Sequence, residues 1–144
     1  MSLNKNKGIL FLCVANSARS QLAEGIARSL FDGDLDVQSA GSEPTSIRPE
    51  AVQVLREIDI DVGSQHSKSV QSIAPETVEV VITLCAEEVC PVFLGGAIHM
   101  HWGLSDPAAI EGSGRLDAFR TTRDELVRRL SLLRNPERGG PATR

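Results

Sequence analysis

Cys13 and Arg19 bracket five residues, Val14-Ala15-Asn16-Ser17-Ala18, and Ser20 follows at once. A thiolate is a strong nucleophile, and thiols at a helix N-terminus beside a guanidinium are held in that form. A guanidinium offers two parallel N–H donors to two oxygens of a tetrahedral oxyanion. Ser20 is suited to hydrogen-bond the sulfur, and Asn16 and Ser17 to brace the loop. The substrate-binding set is thus Val14, Ala15, Asn16, Ser17, Ala18, Arg19 and Ser20, with Cys13 as nucleophile. A buried cysteine followed by an ordinary helix start is the plainer alternative. Hydrolysis and reduction of an oxyanion both begin with the same thiolate attack, so the loop alone does not separate them.

Two further segments carry chemistry. Asp106 stands before Pro107. Expelling an oxygen from a tetrahedral centre calls for a proton donor on the leaving side, and a carboxyl held in a loop can supply the proton. A simple turn aspartate is the alternative. Cys85 and Cys90 are the other two of three cysteines. Two thiols becoming a disulfide release two electrons. The same pair could be two small apolar residues, or could join His99 and His101 in a four-ligand zinc set.

Alternating strand and helix patterns are what would position these residues. Gly8–Leu12 is a continuous apolar run, too short for a helix, and reads as a buried strand. From Ser20 a helix follows, with Leu22, Ala23, Ile26, Ala27, Leu30 and Phe31 on one face, stopped by Asp32-Gly33-Asp34. Leu35–Gly41 reads as a second strand and Ser42–Arg48 as a loop. Pro49 opens a second helix whose buried stripe is expected to be Ala51, Val52, Leu55 and Ile58. Asp59–Ser69 is polar and irregular, and Val70–Ala74 reads as a helical turn. Val78–Leu84 is a β-branched third strand, and Ala97–Trp102 a shorter fourth one. Arg115–Leu133 is the last helix, with Phe119, Leu126, Val127, Leu130 and Leu133 toward the core.

This order predicts an α/β fold, a three-layer αβα arrangement around a four-stranded parallel sheet, with helices on both faces. Ligands bind such sheets at the carboxyl ends of the strands. Cys13, Cys85 and Asp106 each follow a predicted strand, so one sheet edge gathers all three. The 144 residues and 41% apolar content suit a single domain over 1–134, with a mobile tail over 135–144. A net charge of −4 disfavours nucleic acid as a partner. No apolar run is long enough to span a membrane and no signal peptide is visible, so the cytoplasm is the expected location.

The Cys13–Ser20 segment resembles the phosphate-binding loop of the low-molecular-weight protein tyrosine phosphatase fold. That fold serves both phosphatases and thioredoxin-coupled arsenate reductases. The resemblance extends through Gln21-Leu22-Ala23-Glu24-Gly25, Val37-Gln38-Ser39-Ala40-Gly41, Thr83-Leu84-Cys85, Cys90-Pro91, His101-Trp102-Gly103 and Asp106-Pro107-Ala108. It implies Asp106 as general acid and a Cys13–Cys85–Cys90 disulfide relay that turns arsenate into arsenite, with phosphate or sulfate as substrate mimics. An external dithiol such as thioredoxin would re-reduce the protein. The four-residue interval between Cys85 and Cys90 is shorter than that resemblance leads one to expect. The related phosphatases flank the acid with aromatic residues, whereas this chain has Ala108-Ala109 and no tyrosine at all. A low-molecular-weight protein tyrosine phosphatase and a non-catalytic, anion-binding redox sensor are the rival readings. In some related reductases, residues at the positions of Asn16, Glu24 and Ser39 help hold potassium. Here the Lys68 ammonium is placed to stand in for the ion, or is a plain surface charge, so no metal or cofactor is expected.

Overall fold

The computed structural model describes residues 8–86, 91–95 and 98–134. The tail expected over 135–144, Cys90, and Ala97 at the expected start of the fourth strand lie outside these residues. Four strands, β1 (Gly8–Cys13), β2 (Asp36–Gly41), β3 (Val78–Cys85) and β4 (Ile98–Leu104), form one parallel sheet in the order β2-β1-β3-β4. Three α-helices connect or follow them: α1 (Arg19–Phe31), α2 (Pro49–Arg56) and α3 (Arg115–Arg134).

Burial explains the sequence patterns. β1 is central, and all six of its residues are buried, which is why it reads as an unbroken apolar run. β4 lies at the edge and alternates. Ile98, Met100, Trp102 and Leu104 pack on the main core, while His99, His101 and Gly103 are exposed on the other face. The main core joins Ile9, Phe11, Val80, Ile82 and Leu84 of the sheet to Leu22, Ala23 and Ile26 of α1, Val54 and Leu55 of α2, and Phe119, Leu126 and Leu130 of α3. Each fully buried large side chain there contributes roughly 1.5–3 kcal/mol.

Regular helices therefore cover one face. Among the described residues, the other face (Leu10, Leu12, Ala40, Val78, Val81) is covered by Ile73 and Phe93 and by short 3-10 turns at Val70–Ser72 and Pro75–Thr77. The three-layer arrangement around a four-stranded parallel sheet is as expected, and on this face the described part of the outer layer consists of turns. Two details differ from expectation. α2 buries Ala51, Val54 and Leu55, while Val52 is half-buried and Ile58 is exposed. The helix ends at Arg56, and the following turn, with Asp59 at φ 64°, carries Ile58 out of register. β4 also runs through Gly103 to Leu104 instead of stopping at Trp102, because one extra residue is accommodated where Thr83 and Cys85 pair with His101 and Leu104. No helix among the described residues is long and apolar enough to cross a membrane.

Candidate active site

β1 ends in Cys13 and α1 begins at Arg19, so residues 14–18 form a tight loop over the helix N-terminus. The main-chain carbonyls of this loop are all turned outward. Val14, Ala15 and Ser17 accept from the amides of Glu43, Thr45 and Arg48 at 2.9, 3.0 and 2.9 Å. The Asn16 carbonyl accepts from Gln21 Nε2 and Ser67 Oγ at 3.0 and 2.6 Å, and that of Ala18 from the Leu22 amide at 2.9 Å. In a trans peptide the next N–H points opposite to the carbonyl. Five outward carbonyls therefore aim the amides of residues 15–19 inward. The result is an anion-binding nest on the positive end of α1.

Asn16 makes the loop possible. Its φ is 51°, a left-handed conformation that asparagine tolerates better than most side chains. Its amide is fully buried and donates to Ser20 Oγ at 2.7 Å and Ser39 Oγ at 3.0 Å, while Oδ1 accepts from the Lys68 amide at 2.9 Å. Ser39 in turn donates to Glu24 Oε1 at 2.5 Å. Gly41, at the end of β2, lies against this loop: a Cβ there would stand 2.3 Å from the Val14 carbonyl oxygen.

Cys13 is a free, buried thiol whose Sγ lies 2.9 Å from Ser20 Oγ. Because the Ser20 oxygen accepts from Asn16, the Ser20 hydrogen remains to be given to a thiolate. Arg19 is buried, and its Nη1 donates to the Leu104 carbonyl at 2.8 Å, with the Leu84 carbonyl at 3.5 Å. Its Nη2 stands 3.9 Å from Asp106 Oδ2. The extra residue in β4 brings Leu104 opposite Cys85, where its carbonyl meets this guanidinium. Asp106 accepts from the Ala108 amide at 3.0 Å and caps the 3-10 turn Pro107–Ala109, leaving a partly exposed carboxyl over the loop.

Together Cys13, Val14, Ala15, Ser17, Ala18, Arg19 and Asp106 line a cavity of about 200 Å³. Among the described residues, no aromatic side chain lines it. Asn16 and Ser20, expected among the substrate-binding residues, are fully buried; their side chains brace the loop, and the Asn16 amide is one of those aimed into the nest. Gln65 and Gln21 support the loop without any motif to mark them. Both are buried, and Gln65 Nε2 donates to the carbonyl and the side chain of Gln21, which holds the Asn16 carbonyl. A buried polar residue in an irregular polar segment leaves no periodic signal. The Lys68 ammonium points toward the same cluster, 3.9 Å from Glu24 Oε1, and its side chain is only 20% exposed. Arg28 Nε holds the other Glu24 oxygen at 2.8 Å.

Cys85, at the end of β3, is disulfide-bonded. Among the described residues no group of three or more His, Cys, Asp and Glu side chains could hold a metal ion. β1 and β3 pair with Leu12 opposite Thr83. By strand alternation Cys13 projects to the helix-covered face and Cys85 to the other, both at the carboxyl edge where the strand order reverses.

Residues 8–136 match the family of low molecular weight phosphotyrosine protein phosphatases, and the chain belongs to that family. Within it, the chain is 39% identical over 132 residues to an arsenate reductase of Halalkalibacterium halodurans, covering 89% of this chain and 94% of that protein. A solved structure described as an arsenate reductase in the phosphate binding state superposes with a TM-score of 0.75 at 32% identity, covering 90% of this chain and 98% of that one. Another, an arsenate reductase in the oxidized state, has a TM-score of 0.74 at 29% identity, with 90% and 98% covered.

Proposed function

We propose that this protein reduces arsenate to arsenite. Cys13 attacks arsenic as a thiolate while Arg19 and the inward amides hold the remaining oxygens. Asp106 protonates the oxygen that leaves. The Cys85 thiolate then attacks Cys13 Sγ: a Cys13–Cys85 bond forms, the sulfur–arsenic bond breaks, and arsenic keeps the electron pair and departs as arsenite. Cys90 attacks Cys85, frees Cys13, and leaves a Cys85–Cys90 disulfide. An external dithiol of the thioredoxin kind returns the two electrons, in a reducing cytoplasm.

The observation that carries this reading is the placing of the thiols: Cys13 lies unpaired beneath the oxyanion nest, and Cys85, at the same sheet edge, is within bonding reach of another cysteine. A phosphatase uses only the first of these. The named relatives and the small cavity without aromatic walls support the same choice. Because Cys13 and Cys85 start on opposite faces, the relay requires Cys85 to come over the sheet edge.

The test is arsenate-dependent oxidation of reduced thioredoxin, compared in the wild type, Cys85→Ser and Cys90→Ser, with aryl phosphate hydrolysis measured alongside. Thioredoxin oxidation is expected only in the wild type, with hydrolysis, if any, retained in both variants. Fast hydrolysis with no arsenate-dependent oxidation would make it a phosphatase. Anion binding without either turnover would make it a redox sensor.

A further inference from the structure

The second face of the sheet carries a histidine that lies outside the three-thiol relay. His101 lies opposite Thr83 in the β3–β4 register, and its Nδ1 is 2.7 Å from Thr83 Oγ1. The Thr83 hydroxyl also stands 3.4 Å from the Met100 carbonyl, to which it can donate. In the tautomer with the proton on Nδ1, the ring donates to Thr83 and the lone pair sits on Nε2. The next residue of β4 on this face is Gly103. A Cβ built there would lie 3.1 Å from His101 Nε2, 3.4 Å from the Cys85 carbonyl oxygen and 3.7 Å from Ala86 Cα. The imidazole therefore reaches over a residue without a side chain, with Nε2 turned toward the segment that holds Cys85. Cys85 shares the face of Thr83 by alternation along β3, because the extra residue of this pairing is in β4. The ring itself is exposed to solvent.

We propose that His101 is the proton acceptor for the Cys85 thiol, a role that rests on the arsenate relay above. In the reduced protein the Cys85 S–H proton passes to Nε2, giving a thiolate beside an imidazolium, the pairing that activates nucleophilic cysteines generally. The thiolate forms the bond to Cys13 Sγ, and the electron pair of the broken sulfur–arsenic bond reduces the arsenic. The exposed imidazolium returns its proton to water. Of the ionisable groups on β3 and β4, only Cys85 and His99 share this face near His101, while Glu79 lies four residues before Thr83 toward the far end of β3. Asparagine at position 101 can keep the bond to Thr83 but accepts no proton.

The experiment measures the rate of Cys13–Cys85 disulfide formation after one addition of arsenate to the reduced Cys90→Ser protein, with and without His101→Asn, from pH 6 to 9. Aryl phosphate hydrolysis, which uses Cys13, is the control. His101→Asn is expected to slow disulfide formation about tenfold or more at pH 7. It is expected to recover toward the parent rate by pH 9 and to leave hydrolysis unchanged. An unchanged rate and pH profile would overturn the proposal. So would an equal loss in hydrolysis, which would assign His101 a role in the fold alone. If the parent protein itself formed no Cys13–Cys85 link, the arsenate reading would fall and this proposal with it.

Discussion

Asn16 is the residue on which the loop's shape depends, and its removal has a calculable cost. Asn16→Gly keeps the left-handed backbone but deletes three hydrogen bonds of a fully buried side chain, to Ser20, to Ser39 and from the Lys68 amide. At about 1 kcal/mol for each bond, the loss is about 3 kcal/mol. Asn16→Ala adds the strain of a Cβ at positive φ, about 1 kcal/mol more. Native stabilities of roughly 5–15 kcal/mol leave both variants folded. Urea unfolding with an unchanged slope would read the losses directly, and aryl phosphate or arsenate turnover would fall as the nest loosens. If the glycine variant lies within about 0.5 kcal/mol of the wild type, the bracing assigned to the side chain is wrong. If alanine is more stable than glycine, the backbone argument fails.

Further outcomes follow from the same geometry. Asp106→Asn should lower turnover by about 10²–10⁴-fold while leaving binding of inorganic phosphate in place, checked by steady-state kinetics and by competition with phosphate. With Lys68 directed at Glu24, the wild-type rate should be equal in potassium and sodium salts, and Lys68→Ala should acquire a preference for potassium. A several-fold wild-type preference for potassium would contradict this. On the surface, hydrogen bonds from Arg120, opposed by desolvation and reinforced by Arg123, lower Glu57 from 4.5 to about 2. A carboxylate lowered on folding stabilises the fold fully above its unfolded value and loses that contribution as pH falls toward 2. Glu57→Gln should therefore be less stable than the wild type at pH 6, and the two melting curves should converge near pH 2.

What was legible in the sequence is what local pattern encodes. The apolar run through Phe11, the Asp32-Gly33 stop and Pro49 at a helix start each fix an element by a physical rule, and each element is where its residues point. The bracket of Cys13 and Arg19 likewise contains its chemistry in residue types and spacing. Other features depend on where the chain is brought by packing. The Leu104 carbonyl that orients Arg19 is a backbone group, and Gly103 reads as a strand breaker although it lies inside β4. Gln65 holds the loop through Gln21, 44 residues away in sequence, which no periodicity announces. The placement of Cys13 and Cys85 on opposite faces follows only from the pairing register of β1 and β3.

The relay itself is tested most directly by one addition of arsenate to reduced Cys90→Ser, followed by mass spectrometry of the alkylated, digested protein. A single equivalent of arsenite should be released and a Cys13–Cys85 cross-link should accumulate, with no further turnover when thioredoxin is supplied. Continued turnover at the wild-type rate, or arsenite release with Cys85 left as a free thiol, would contradict the relay.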